Sequence, residues 1–274
     1  MLREMWALYV REMKHWYRIK IQIFMALIQP IVWLGLFGQS FNITNLVPPG
    51  IPGFDPALLL SGAPDYFSYL ATGMLAVIAL FTTMFAGMSL VWDRRFGFLT
   101  KLRVSPIPRG VVPISRMNSA VTRAVIQALI VLLIALGFAY VPGLVGLSLS
   151  PSFNVLDFLG IVAVLILLAT GFACIFITVA LAVENQDTLF GLINLLNLPV
   201  MFASAALLPL SLMPSWLQGV AKVNPLTWAA DACRTFAFHN TNPIFPVWQE
   251  VLMLLAFASF MIGVTVVSAK RLLD

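Results

Sequence analysis

Long apolar runs are the feature that most restricts the fold of this chain. The run YFSYLATGMLAVIALFTTMFAGMSLV, residues 66–91, contains no charged residue, and further runs of similar length follow it. A bilayer core about 30 Å thick requires roughly 20 apolar residues in a helix that rises about 1.5 Å per residue. With 61% hydrophobic and 10% charged residues, the chain has too little polar surface to cover a water-soluble globule. The sequence therefore predicts an integral membrane protein.

The predicted fold class is all-α, because the period-two alternation that is typical of a membrane β-barrel is absent. We predict six transmembrane helices in one domain over residues 22–274, joined to a separate helix over residues 1–21. The expected spans are about 22–41, 66–91, 117–140, 158–183, 189–211 and 250–269.

The N-terminal residues 1–21 have no unbroken apolar core and no small-residue cleavage site, so we do not expect a signal peptide. Apolar and aromatic residues recur there at helical spacing: Leu2, Met5, Trp6, Tyr9, Met13, Trp16 and Tyr17. Basic residues share the opposite side: Arg11, Lys14, His15 and Arg18. This pattern predicts an amphipathic interfacial helix whose basic side faces anionic membrane lipids. A tail with chance periodicity is the alternative.

Lys and Arg residues are distributed unevenly over the predicted topology. Of the 16, all but Lys222 and Arg234 fall in the N-terminal helix, after span two, at the start of span three or at the C-terminal end. By the positive-inside rule this side is cytoplasmic, which predicts a multi-pass plasma membrane protein with both termini in the cytoplasm. The net charge of +5 therefore indicates contact with a membrane surface, and we expect no nucleic acid partner.

Motifs for catalysis are missing from the sequence. There is no Gly-Lys pair, and hence no P-loop, and neither HExxH nor GxSxG occurs. His15 and His239 fall on opposite sides of the predicted membrane, which excludes a zinc site that uses both. We predict no catalytic residue, metal or cofactor in this chain.

Polar residues inside the predicted spans are candidates for lining a transport pathway: Gln29, Arg123, Gln127, Asn194 and Asn197. Gln29 precedes Pro30, which we expect to kink span one. The alternatives are that Arg123 snorkels to the interface and that the amides form hydrogen bonds between helices. A chain of Asp and Glu residues through the spans is absent, which argues against a proton-coupled transporter.

The segment between spans five and six is interrupted by prolines into two pieces, 214–222 and 225–238, that are too short to cross a bilayer. We expect Asn224 to cap a helix that starts at Pro225, and Asp231 and Arg234 to pair one turn further on. The pieces predict a re-entrant helical hairpin in the outer leaflet, which borders the exit of a route. The alternative is an extracellular cap on the surface.

A basic loop follows span two and reads WDRRFGFLTKLRVSPIPRG, residues 92–110. This loop, NLPVMFASAALLPLSLMPSWLQ and VNPLTWAADACR resemble the permease subunits of ABC exporters in the ABC-2 family, particularly the daunorubicin-resistance-like group. The likeness covers nearly the whole chain. The family's D/E-R-x-x-G-x-L pattern and Pro-x-x-R end are met by Asp93, Arg94, Gly97, Leu99, Pro106 and Arg109. The chain departs from common family dipeptides at Thr72-Gly73, Ser115-Arg116 and Ser204-Ala205.

The resemblance implies that two permeases, identical or different, form a dimer, and that a separate P-loop ATPase with ATP and magnesium binds beneath each. It implies also that the loop is a coupling helix that docks on this ATPase. Phe98, Leu99 and Leu102 lie within about 100° on a helical wheel and suit an apolar pocket. The expected docking residues are Asp93, Arg94, Arg95, Gly97, Phe98, Leu99, Leu102, Pro106 and Arg109. A basic loop that only fixes topology is the alternative.

The predicted function is the transmembrane subunit of an ATP-driven ABC exporter for a drug-like, lipidic or glycan substrate. A stand-alone ion-coupled carrier or a membrane scaffold is the alternative.

Overall fold

A computed structural model describes residues 2–41, 60–97, 110–183, 185–239 and 243–272. All regular secondary structure in these ranges is helical, as the sequence predicted. The helices are α1 (Leu2–Arg18), α2 (Lys20–Trp33), α3 (Tyr66–Arg95), α4 (Val111–Gly137), α5 (Val155–Ala182), α6 (Gln186–Phe202), α7 (Ser215–Lys222), α8 (Pro225–Phe238) and α9 (Val247–Leu272). A π-helical turn continues α2 over Leu34–Gly38.

Four helices in the described ranges are long and apolar enough to cross a bilayer. They are α3, α4 with the short 3₁₀ turn that extends it to Tyr140, α5 and α9. These helices cover the predicted spans two, three, four and six. By length and composition these four helices are candidate spans, which is consistent with a helical membrane protein.

The predicted first span is shorter in the structure than those four helices. Its apolar helical part covers residues 26–38, and Pro30 lies inside it. Pro30 has no amide hydrogen to donate, and the π-helical turn begins four residues later.

The predicted fifth span also ends early, because α6 stops at Phe202 rather than near residue 211. Pro199 lies in its last turn and removes one amide donor. Asn224 lies between α7 and α8. Its Nδ2 donates hydrogen bonds to the carbonyl oxygens of Val200 at 2.7 Å and Ala203 at 2.8 Å. These bonds satisfy carbonyl groups that a helix leaves free at its C-terminus.

The centre of the bundle is α3. Of its most apolar stretch 83% is buried, compared with 17% in α9. Helices α4 and α5 pack along α3, while α9 packs chiefly on α5. Gly87 allows α3 to approach α5 closely, since a Cβ atom there would lie 2.6 Å from the carbonyl oxygen of Phe176. The outer side of α9 remains exposed, with Phe260 as an example.

The N-terminal helix α1 packs against α4, and Tyr9 Oη donates to Thr122 Oγ1 at 3.1 Å. Its aromatic residues divide into two groups. Trp16 is buried against the bundle, whereas Trp6 and Tyr17 are exposed. Exposed aromatic rings on a helix beside apolar spans suit the headgroup region of a membrane, so the interfacial position of α1 stays a prediction that this exposure favours.

Candidate functional site

Four charged side chains meet where α1, α3 and α4 come together, at the end of the bundle that is rich in Lys and Arg. We call Arg11, Glu12, Asp93 and Arg116 the basic-side cluster. Arg116, Glu12 and Asp93 are buried, while the side chain of Arg11 is 42% exposed. The cluster therefore lies at the edge of the protein interior, with one member in contact with solvent.

The two arginines of the basic-side cluster share one carboxylate. Arg11 donates through Nη1 to Asp93 Oδ2 and through Nη2 to Asp93 Oδ1, both at 3.1 Å. Arg116 donates to Asp93 Oδ2 as well and places its Nη1 3.4 Å from Glu12 Oε2. The hydrogen bonds that Arg11 donates to Asp93 hold the pKa of Arg11 above its ordinary value. These charge-assisted bonds join α1, the end of α3 and the start of α4 into one unit.

Arg94, the next residue of α3, connects the same region to α5. Its Nη1 donates to the carbonyl oxygen of Val183 at 3.1 Å and its Nη2 to that of Leu181 at 3.0 Å. An arginine at the C-terminus of a helix satisfies free carbonyl groups and opposes the negative end of the helix dipole. Asp93 and Arg94, both predicted to dock on a partner, therefore also hold helices of this chain together.

The loop that was predicted as the coupling helix begins at the end of α3. Arg95 is exposed, and Phe96 is 79% exposed. Gly97 has a φ of +70°, a backbone conformation that favours glycine, and its amide bonds to the Arg94 carbonyl at 3.1 Å. Five predicted docking residues lie outside the described residues: Phe98, Leu99, Leu102, Pro106 and Arg109.

An open groove of about 620 Å³ lies between α1 and the end of α3. Besides the cluster residues, basic and aromatic side chains line it, including Lys14, His15, Arg18, Trp92 and Phe96. A groove with this lining can receive an acidic surface that also presents apolar groups. It directly adjoins the start of the predicted coupling loop.

The structure brings three of the five predicted pathway residues to one place. Gln29 lines a cavity of about 180 Å³ between α2 and α3, and Arg123 and Gln127 line a narrow cavity beside it. The two asparagines lie elsewhere. Asn197 donates to Met84 Sδ at 3.5 Å, and the half-buried Asn194 donates to the Phe190 carbonyl oxygen within its own helix.

A second set of ionisable side chains lies at the opposite end of the bundle, where α8 packs against α3 and α9. We call Tyr69, Asp231, Arg234 and Glu250 the hairpin cluster, and all four are fully buried. The guanidinium carbon of Arg234 lies 3.5 Å from the centre of the Tyr69 ring. Arg234 Nη2 donates to the carbonyl oxygens of Tyr69 at 3.3 Å and of Ala206 at 3.0 Å. Arg234 therefore anchors α8 to α3.

The predicted details of the hairpin are met in part. Asn224 caps α8 by accepting from the Leu226 amide at 3.0 Å, and Pro225 occupies the start of the helix, as predicted. Among the described residues, however, Asp231 accepts from the Ile244 amide at 2.6 Å rather than from Arg234. The backbone oxygens that Arg234 binds come from α3 and the segment after α6, which local spacing on α8 does not reveal.

Five members of the two clusters were missed by the sequence analysis as site residues: Arg11, Glu12, Tyr69, Arg116 and Glu250. Glu12 stands out as an acid on the helix that carries most of the N-terminal basic residues. Glu250 opens the last apolar run. These two signals were available, since acids next to membrane segments are rare and tend to be paired. The identity of their partners depends on tertiary packing.

Comparison with known proteins identifies a family for this chain. Residues 3–238 match the family described as ABC-2 type transporter. The transport permease ycf38 of Porphyra purpurea is 29% identical over 243 residues, which are 88% of this chain and 76% of that protein. A Mycobacterium tuberculosis protein named as the doxorubicin resistance ABC transporter permease DrrC is 28% identical over 74% of this chain and 68% of its own length. The daunorubicin resistance permease DrrB1 of Streptomyces coeruleorubidus is 23% identical over 84% and 73%, respectively.

The chain belongs to the ABC-2 type transporter family. It is therefore a multi-pass membrane subunit of an ABC transporter. In such systems the ATPase is a separate subunit with which the membrane subunit works.

Proposed function

We propose that the chain is one of two permease subunits of an ATP-driven exporter. In this proposal six segments cross the plasma membrane, with α2 and α6 as the two shorter ones and α3, α4, α5 and α9 as the others. The basic end, with both termini, faces the cytoplasm, α1 lies in the interface, and α7 and α8 form a re-entrant hairpin in the outer leaflet. The positions of the Lys and Arg residues support this orientation.

The observation that carries the proposal is the double attachment of the loop's base. Asp93 joins the end of α3 to α1 and α4, and Arg94 joins it to the end of α5. A force on the loop after Gly97 therefore reaches four helices through charge-assisted bonds instead of bending α3 alone. A coupling element has to transmit the difference between two states of its partner, and rigid attachment serves that purpose.

The partners in this proposal are a P-loop ATPase, which binds ATP and magnesium, a second permease and membrane lipids. The ATPase docks on the loop and on the basic groove beside it. Exposed apolar residues on α6 and α9, such as Leu195 and Phe260, supply surface for lipid or the second permease.

A drug-like cargo is supported by the names of two relatives, which refer to doxorubicin and daunorubicin resistance. A lipidic or a glycan cargo is the alternative. The groove between α2, α3 and α4 offers one place for an amphipathic molecule to enter.

The docking step is tested by co-expression of the chain with its ATPase subunit. Leu99→Glu and Arg95→Glu should lower co-purification and permease-stimulated ATP hydrolysis about tenfold or more, because a buried apolar contact and an ionic contact are lost. Arg95 is a better probe than Arg94, whose side chain also caps α5.

Leu144→Glu is the matched control, because Leu144 is 40% exposed in the loop at the opposite end of the bundle. This variant should behave as the unaltered protein. Full stimulation by both Leu99→Glu and Arg95→Glu would contradict the docking proposal. Uphill transport by the chain alone, in liposomes without nucleotide, would instead favour an ion-coupled carrier.

A further inference from the structure

The groove between α2, α3 and α4 combines an apolar wall with a buried positive charge. Its wider part, of about 180 Å³, is lined mainly by apolar side chains of α3, including Met74, Ile78 and Phe81. Its narrow part, of about 10 Å³, is lined by Trp16, Ala26, Thr82, Phe85, Arg123 and Gln127. Ala26, Thr82 and Phe85 line both parts, so the two parts adjoin along α3.

Arg123 is the charged residue of this groove, and it is 5% exposed. Its Nε donates to the carbonyl oxygen of Ser119 at 3.2 Å. Its Nη2 has no hydrogen-bond partner among the described residues and is shielded from solvent. A buried guanidinium with an unused donor is unfavourable unless an acceptor reaches it, and an anion satisfies both the charge and the hydrogen bond.

The acidic residues near Arg123 already form ion pairs with other arginines. Glu12 acts electrostatically on Arg123, but its carboxylate pairs with Arg11 and Arg116. Asp93 is shared by the same two arginines. The described part of this end of the bundle thus leaves Arg123 with positive charge in excess.

The groove also has a defined position along the membrane. Arg123 and Trp16 lie towards the basic end, at the level where α1 packs against α4, whereas Gln29 and Pro30 lie further along α2. A molecule with an anionic group at Arg123 would therefore lay its apolar part along α2 and α3, parallel to the lipid chains. Phe24 and Val32 of α2 are exposed, as expected for a side of the bundle that lipid can reach.

We propose that the groove between α2, α3 and α4 binds an anionic amphiphile with a single apolar chain, drawn from the membrane leaflet at the basic end, with Arg123 Nη2 binding its anionic group. This inference rests on the proposed function and names the chemistry of a substrate for it. The wider part of the groove is smaller than ordinary drug pockets, which favours a single chain over a fused-ring molecule.

The test uses the full chain, without any ATPase, in nanodiscs of zwitterionic phosphatidylcholine. A dansyl-labelled long-chain carboxylic acid is titrated, with the dansyl-labelled alkylamine of equal chain length as the cationic comparison. The unaltered protein should bind the acid more tightly than the amine. Arg123→Gln should weaken binding of the acid about tenfold or more, as expected for loss of one hydrogen bond between charged groups, and Arg123→Lys should retain most of it.

Lys270→Gln is the matched control, because it removes one positive charge from the exposed end of α9 at the same side. It should leave the affinity for the acid unchanged. The proposal is overturned if Arg123→Gln and Lys270→Gln have the same effect, or if the amine binds the unaltered protein as tightly as the acid.

Photo-crosslinking needs no variant and keeps the test decisive should Arg123→Gln not fold. A diazirine-labelled fatty acid should label residues 26–30 and 74–85. Labelling confined to outer surfaces such as that of α9 overturns the proposal. Because the ATPase is absent, these results are independent of the docking test. Binding of the acid without docking supports only the groove proposal, and docking without binding of the acid supports only the proposed function.

Discussion

The two charged clusters use similar residues under different conditions. In the basic-side cluster, Asp93 has an arginine within hydrogen-bond distance on each side, and Arg11 reaches solvent. In the hairpin cluster, all four side chains are fully buried, and Arg234 Nε and Nη1 have no hydrogen-bond partner among the described residues. The two carboxylate oxygens of Glu250, Oε1 and Oε2, also have no hydrogen-bond partner among those residues.

This difference separates two uses of charge in one membrane protein. Exposed pairs gain little, since water and salt screen them, and they tolerate loss of a partner. Buried charges are costly alone, and removal of one member strands the others. The basic-side cluster therefore contains one partly exposed pair, Arg11 with Asp93, whose loss should cost little, whereas the hairpin cluster is suited to a fixed anchor.

Arg234→Gln should give the largest effect. It removes the only cation of the hairpin cluster and leaves Asp231 and Glu250 buried together, so we expect a loss of about 3–5 kcal/mol in the free energy of unfolding. SDS titration of the purified protein in mixed micelles measures this loss. Lys222→Gln, an exposed cation on the adjoining helix α7, is the control and should have little effect. Equal stability of both variants would refute the anchor role.

Gly73→Ala should give an intermediate effect beside the same cluster. A Cβ atom at Gly73 would lie 1.9 Å from the Ala206 carbonyl oxygen and 2.8 Å from Arg234 Nη2. Because backbone must move, we expect a loss of about 1–3 kcal/mol in the free energy of unfolding, measured by the same titration.

Gly263→Ala in α9 provides the comparison for Gly73→Ala, because a Cβ atom there meets nothing within 4 Å. It should be neutral or stabilising by up to about 1 kcal/mol, since alanine favours a helix more than glycine does. If Gly73→Ala were as mild, the close approach of α3 to the segment after α6 would be disproved.

Arg11→Gln should give the smallest effect. It removes the partly exposed pair with Asp93 but leaves Arg116 on the same carboxylate, so we expect a loss of about 1 kcal/mol or less. The difference from the unaltered protein should shrink as NaCl is raised, because salt screens exposed pairs. A loss as large as that of Arg234→Gln, or one independent of salt, would remove the contrast between the clusters.

The apolar helices were the easiest part to predict. The runs that form α3, α5 and α9 are uninterrupted by proline and lack the alternation of a barrel strand, and a helix satisfies all their backbone hydrogen bonds within the segment. The cap at Asn224 was predictable too, because it depends on residues next to it in the chain. The end of α6 was not predictable. It depends on hydrogen bonds from Asn224, which lies beyond α7 in the chain, to carbonyl oxygens at the end of α6.

The candidate sites also contain residues that local sequence patterns singled out and partners that only the packing of helices revealed. The resemblance to the family singled out Asp93 and Arg94, and local spacing singled out Arg234. Spacing assigned Arg234 to Asp231, while the described structure gives it the carbonyl oxygens of Tyr69 and Ala206. The docking role of the loop stays a prediction. The grouping of Gln29 with Arg123 and Gln127 required the packing of three helices, which one sequence does not encode in its local pattern.

Apolar run length and short motifs are local properties, so one sequence was enough to predict helices that enter a membrane and to point to the family. Which charges meet depends on tertiary packing. A guanidinium in lipid takes whatever acceptor the packed helices bring within reach, so its partner is set by the approach of backbones far apart in sequence, as Gly73 and Arg234 show.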